Sequence, residues 1–492
     1  MKRLLAAFLS VLLLASTTTA QDAVKEATTA ELNRTYRQVT ATSLRSYPIG
    51  VFDSGTGGLT ILEQILKSDG FDNASHAARS DGKADFKNES FIFLADQANM
   101  PYGNYPVVKK ESFLDDLIVK DARFLLGKQY YSLGNQLARQ NKSPVKAIVI
   151  ACNTATAYGQ ADIEEVLQKA GLTIKVVGVI DAGAKGAIEV IAPGQEASIA
   201  VVPTKGTVLS GAYPRAIRRN AREQKLKQSL DVFQQGAYGL AGSIDGAREF
   251  IHLEKQDHQP RDDYRGPASD SKEAAINLSI LARYGFDFSK NGMLYDGTRQ
   301  KPSLLQLNSV ENYLAYHLTT LMEKIRKKGD APPLRSVVMG CTHFPFYQEA
   351  FEQELVRLRN YQEDGQYLYR KYMADDIALI DPAFFTAREL YQSLTKDDRF
   401  RPAGAPTKAT RGEFYVTIPA HNQANQNLNE SGGFTYDYKY TRQAGTVPSD
   451  FRAVPFDESN LGPVVLKRLQ ERVPTVWTLL SEFREKSQKI KK

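Results

Sequence analysis

Short apolar runs ending in Gly, Asn, Asp or Thr recur along the chain: Pro48–Phe52, Phe91–Ala95, Val145–Ala151, Ile174–Ile180, Ser198–Val202, Ser336–Met339 and Ala378–Ile380. Runs this short, apolar on both faces, predict buried parallel strands. Between them lie stretches with apolar residues at helical spacing, among them Leu59–Leu66, Tyr158–Lys169 and Asn312–Lys328, which predict amphipathic helices. Strands and helices alternate, so the expected fold class is α/β with mostly parallel sheets. Residues 21–46 are polar and Thr/Ala-rich and read as a short N-terminal arm. Segments 67–90, 253–302, 396–411 and 421–460 break the pattern and read as insertions; no internal repeat of fixed period is present.

The first twenty residues follow neither period. Lys2 and Arg3 precede an apolar run from Leu4 to Ala15, and small residues end at Thr18-Thr19-Ala20. A basic start, an apolar centre and small residues predict a secretory signal peptide cut near Ala20. The run is shorter than the roughly 20 residues a bilayer span needs. An exported protein without a stable membrane anchor is therefore expected, periplasmic in a Gram-negative cell. Of the 492 residues 42% are apolar and 24% charged, which excludes wholesale disorder. The net charge of +7 is scattered, apart from Lys486, Lys489, Lys491 and Lys492 at the end. That distribution predicts a solvated surface rather than a nucleic-acid interface.

The chain has two cysteines, which in an exported protein first suggest one disulfide. Their positions argue for something else. Ligands of open α/β sheets bind at the carboxyl ends of the strands, and the polar motifs fall there. Asp53-Ser54-Gly55-Thr56-Gly57-Gly58 follows the first run, and Asp96 and then Pro101-Tyr102-Gly103 follow the second. Cys152-Asn153-Thr154-Ala155-Thr156-Ala157 and Gly340-Cys341-Thr342-His343-Phe344-Pro345 follow two later runs. The glycine-rich turn can hold a carboxylate or phosphate on its N–H groups, although no P-loop Lys-Ser/Thr follows. Each cysteine ends a strand and is followed by side chains that can grip a small polar ligand. Moving a Cα proton from one face to the other needs two acid/bases with substrate between them. Sulfurs about 3–3.5 Å from that carbon sit roughly 6–7 Å apart, whereas a disulfide needs about 2 Å. A thiol of pKa about 8.5 is only a few per cent thiolate at neutral pH, and a nearby imidazole or helix N-terminus raises that share. His343 lies two residues beyond Cys341.

At these residues the chain resembles glutamate racemase of the aspartate/glutamate racemase superfamily. The match runs through Ile49–Thr60, Pro101-Tyr102-Gly103, Ala151–Ala157 and Gly340–Pro345, with weaker echoes at Gly178-Val179-Ile180, Thr204–Thr207, Ser210–Tyr213 and Leu379–Pro382. The resemblance implies two pseudo-symmetric three-layer α/β domains with the active site in the interdomain cleft. The first would comprise 47–180 plus 346–485, and the second 181–345. It further implies a racemase using neither pyridoxal phosphate nor metal, in which Cys152 and Cys341 exchange the Cα proton, assisted by Asp53 and His343. Asp53, Ser54, Tyr102, Gly103, Asn153, Thr154, Thr207, Thr342 and His343 would bind the substrate. The chain departs from the family in carrying Gly236-Ala237-Tyr238 for the usual Ala-Cys-Pro, and Asp245 in place of the assisting glutamate. The implied function is interconversion of L- and D-glutamate, supplying D-glutamate for peptidoglycan. The partner is a small acidic amino acid, glutamate or aspartate, with a homodimer left open. Aspartate or broad-specificity racemisation, and a non-catalytic periplasmic binding protein, remain alternatives.

Overall fold

The computed structural model describes residues 20–133, 137–226, 228–252, 254, 257–402, 410–445, 449–487 and 489–490. The expected signal peptide, apart from Ala20, lies outside the described residues. Four strands form the parallel core of a first sheet: β1 (Ile49–Asp53), β2 (Phe91–Ala95), β3 (Ala147–Ile150) and β4 (Lys175–Gly178). A second sheet holds β5 (Ala197–Pro203), β6 (Leu230–Gln234), β7 (Leu334–Gly340) and β8 (Met373–Ile380). The orders are β2-β1-β3-β4 and β6-β5-β7-β8, all parallel. In chain order the strands of one sheet map one-to-one onto those of the other, which is the pseudo-symmetry of two α/β units. The first sheet is then extended by β9 (Gly412–Pro419), parallel to β2, and β10 (Phe451–Pro455), antiparallel at the edge.

Helices cover both faces of each sheet, so the central strands are buried along their length, as in β1 and β2. In the first unit α1 (Ala20–Thr35) packs on α3 (Glu111–Leu126) and α4 (Asn153–Lys169), while α2 (Leu59–Lys67) covers the opposite face. In the second, α5 (Val179–Glu189) lies against α7 (Ala212–Glu223), which follows the short α6 (Lys205–Ser210). The short α8 (Leu240–Ile244) rests on α9 (Val310–Lys328). The helix α10 (Pro382–Lys396) touches α5 and α2, one from each unit. Two consecutive helices end the fold, α11 (Pro463–Arg472) and α12 (Pro474–Lys486); α12 packs on α2 and β9.

Several expectations are corrected. The chain does not return to the first unit at residue 346: β8 pairs with β7 in the second sheet, and the return comes at β9. The run Ile174–Ile180 stops being a strand at Gly178, and Val179 and Ile180 open α5. The N-terminal arm is a 16-residue helix over most of its length. Segment 253–302 carries one strand of an antiparallel hairpin, Met293–Gly297 with Pro302–Leu307, and 421–460 contains β10. Much of 396–411 lies outside the described residues. No helix among the described residues is long and apolar enough to cross a membrane.

Candidate active site

The symmetric strand ends meet between the two sheets. On one side β3 delivers Cys152 as the N-cap of α4, where its sulfur accepts the Ala155 N–H at 3.5 Å. Its thiol donates to Ser54 Oγ at 3.7 Å. Asp53, at the end of β1, accepts the Gly58 N–H at 2.6 Å and the Thr342 hydroxyl at 3.1 Å, the latter reaching across from the other unit. Burial raises the Asp53 pKa, opposed by the charge of His343 and by hydrogen bonds from Gly58 and Cys152. The N-terminus of α4 favours a thiolate on Cys152. Burial and the Asp53 charge outweigh it, and the Cys152 pKa is pushed well above the ordinary thiol value.

On the other side β7 delivers Cys341. His343 Nδ1 lies 3.5 Å from the Cys341 sulfur, and Nε2 lies 3.0 Å from Asp245 Oδ2. Asp245, just beyond α8, gives its other oxygen to Arg468 of α11. Burial opposes charge on this imidazole, yet Asp245 and Cys341 carry its pKa well above the usual value. Burial likewise opposes charge on Asp245, but His343 and Arg468 hold its carboxyl well below the ordinary range. The arrangement is a relay of sulfur, imidazolium, carboxylate and guanidinium. Only glycine fits at position 57, where a Cβ would stand 2.6 Å from Thr342 Oγ1 and 2.7 Å from the His343 ring.

Both cysteines are free thiols and are 7% exposed, lining one small cavity with Asp53, Ser54, Asn153, Thr342 and His343. The room inside is about 20 Å³, enough for roughly one water and less than an amino acid fills. Tyr102, Gly103 and Thr154 also line it, so the structure gathers most of the residues singled out in the sequence. Three stand differently. The Tyr102 hydroxyl is hydrogen-bonded to Asp121 at 2.7 Å and to Asp96, two buried carboxyl groups outside the cavity wall that share its one proton donor. Thr207 lies behind the wall, 3.1 Å from Thr154 Oγ1, and Thr204 takes its place there. Asp245 also stands behind the wall and reaches it only through His343. Sequence reasoning missed Thr204 as a wall residue, Tyr213, whose hydroxyl donates to Asn153 Oδ1 at 2.6 Å, and Arg468. Thr204 and Tyr213 stood in segments of noted resemblance; nothing in the sequence marks Arg468.

A larger cavity of about 440 Å³, walled by Lys120, Tyr130, His421 and Arg452 among others, contains neither cysteine. Size therefore does not locate the chemistry here; convergent polar groups do. Among the described residues no group of His, Cys, Asp and Glu could hold a metal ion.

No family model matches the chain. Among curated proteins, glutamate racemase of Lactobacillus johnsonii is 24% identical over 370 residues, covering 75% of this chain and 88% of that protein. Glutamate racemase of Levilactobacillus brevis is 32% identical over 376 residues, covering 76% and 87%. Among solved structures, the RacE1 glutamate racemase isoform of Bacillus anthracis is 21% identical, covering 76% of this chain and 89% of that one, at a TM-score of 0.42. On the extent and identity of the L. brevis match, the chain belongs to the glutamate racemase family and is an amino-acid racemase, an isomerase.

Proposed function

We propose that the chain interconverts L- and D-glutamate by moving the Cα proton between Cys152 and Cys341, without pyridoxal phosphate or metal. One observation carries the mechanism: two free, buried thiols at symmetry-related strand ends line one cavity, one beside Asp53 and Ser54, the other beside His343. Burial and Asp53 keep Cys152 as a thiol, while a protonated His343 stabilises negative charge on the Cys341 sulfur. Cys341 then removes the proton: the C–H bond breaks, its electron pair delocalises into the α-carboxylate, and an S–H bond forms. The Cys152 S–H delivers its proton to the opposite face and is left as thiolate. For the other enantiomer the roles reverse. In that reverse direction Cys152 is the base, and Asp53 beside it can take up the resting thiol's proton. Tyr213 holds Asn153 Oδ1, which leaves the Nδ2 donors of Asn153 for a substrate carboxylate.

Glutamate as substrate is supported by the names of the relatives. The test is a panel of L-glutamate, L-aspartate and L-alanine with chiral chromatography of the products. Glutamate turning over with the highest kcat/KM supports the reading, and preference for aspartate or alanine overturns it. We propose in addition that the protein is exported, as Lys2, Arg3 and the run Leu4–Ala15 suggest, and that its D-glutamate serves peptidoglycan. N-terminal sequencing of fractionated cells decides export: a mature end near Ala20 outside the cytoplasm supports it, and a retained Met1 in the cytoplasm refutes it.

A further inference from the structure

Arg468 lies far in sequence from both cysteine motifs, yet it closes the relay behind Cys341. Its guanidinium donates to Asp245 Oδ1, to the Ile244 carbonyl at 2.6 Å and to Thr56 Oγ1 at 3.4 Å, and lies 5.1 Å from the Phe346 ring centroid. Thr56 belongs to the turn after β1 in the first unit, and Asp245 to the second. Arg468 thus joins both units next to the cavity.

We infer that Arg468 is a positioning residue for proton transfer at Cys341, and that through it activity depends on the docking of the C-terminal helix pair. The inference deepens the two-thiol reading and rests on it. Among the described residues the two Asp245 oxygens are held from opposite sides, Oδ1 by Arg468 and Oδ2 by His343. With Oδ1 held, Oδ2 stays aimed at His343 Nε2, and His343 Nδ1 stays aimed at the sulfur. A carboxylate without that anchor can rotate and take the imidazole with it; a displacement of about 1 Å can cost on the order of 100-fold in rate. The anchor is itself fixed. Leu469 and Val473 are buried in the core, and buried Glu63 of α2 accepts the N–H groups of Thr475 at 3.2 Å and Val476 at 2.8 Å at the start of α12. A continuous line of contacts therefore runs from Glu63 through α12 and α11 to Arg468, Asp245, His343 and Cys341.

The guanidinium also sets charge. The groups facing His343 are Cys341 on its own turn, Asp245 beyond α8 and Asp53 at the end of β1. Arg468 faces Asp245 and stands near Tyr347. It shares the Asp245 charge that would otherwise fall wholly on His343. Its removal strengthens the pull of Asp245 on the imidazolium, which then holds its proton to higher pH.

The test compares pH profiles of kcat/KM for the full chain carrying Arg468→Ala, Arg468→Lys, Asp245→Asn, or Arg468→Ala with Asp245→Asn. We expect Arg468→Ala to lower kcat/KM about 10- to 100-fold and move the basic limb to higher pH, with partial rescue by Arg468→Lys. Added to Asp245→Asn, it should cost nothing further, because coupled positions are not additive. An unchanged profile in Arg468→Ala, or a full second loss in the double variant, overturns the inference. Iodoacetamide alkylation of Cys341 across pH, in Cys152→Ser protein with and without Arg468→Ala, reads the same coupling without a substrate. A wild type that racemises no amino acid but shows the alkylation shift refutes the proposed reaction and upholds the inference. Glutamate racemisation with neither rate nor alkylation altered by Arg468→Ala does the reverse.

Discussion

Cys152 is walled in beside the Asp53 carboxylate, and both surroundings keep its proton on sulfur; Cys341 faces an imidazole that Asp245 holds charged. One residue type therefore stands in two different electrostatic surroundings, as an acid/base pair requires. Near neutral pH, Cys341 should react with iodoacetamide faster than Cys152, read by peptide mass spectrometry; the reverse order would contradict the assignment. The pH dependence has a definite sign. A raised His343 pKa means that the imidazolium persists below that value and is lost as pH rises through it. The basic limb of kcat/KM should thus lie above the ordinary imidazole range of about 6.5. Asp245→Asn, which removes the carboxylate that lifts it, should move the limb down, and no shift would uncouple Asp245 from the chemistry. Tyr102→Phe separates two roles for the motif tyrosine. The hydroxyl bridges Asp96 and Asp121, so its loss should cost about 1–3 kcal/mol of stability in urea titrations while KM changes little. A large KM change with intact stability would return the hydroxyl to the substrate.

Among the elements, α6 meets the turn at Gly103 so closely that a Cβ on Gly206 would stand 2.5 Å from the Gly103 carbonyl oxygen. Neither backbone yields cheaply, so Gly206→Ala should wedge the units apart. Overpacking costs about 1–3 kcal/mol, and if it falls on the closed form alone kcat/KM drops by about 10-fold or more, with the unfolding midpoint nearly unchanged. Equal losses in stability and activity would make the glycine structural instead. The strands of both sheets were mostly legible because they are short and apolar on both faces. The miss at β6 follows from its half-buried residues, which never form a continuous apolar run. Val179 and Ile180 were read as strand because burial on all sides erases the period that separates strand from helix. The helix α1 was hidden for a different reason. Its buried stripe is Val24, Thr28 and Leu32, and a threonine in the middle, with its hydroxyl donated to the Val24 carbonyl at 2.7 Å, breaks the apolar pattern.

For the molecule as a whole, the site was legible wherever it was built from residues adjacent in sequence. Cys152 with Asn153 and Thr154, and Cys341 with Thr342 and His343, announced themselves by local chemistry after a strand. Arg468 could not, since its meaning comes only from the return of the C-terminal helices across the first unit to Asp245. The same limit applied to the unit boundary, because β8 joins the second sheet through pairing with β7 that no local pattern encodes. The cavity that both thiols line has about 20 Å³ of room, less than an amino acid fills, so an opening of the cleft on substrate entry is the expected behaviour, as in other enzymes with closing clefts. The account stands or falls on the two thiols. Its most direct test incubates the purified protein with L-glutamate in heavy water, without added cofactor, and follows D-glutamate and deuterium at Cα together. The account predicts D-glutamate carrying deuterium, with Cys152→Ser and Cys341→Ser each lowering its formation by about 100- to 10,000-fold. Undiminished racemisation in either single variant, or D-glutamate formed without deuterium, would contradict it.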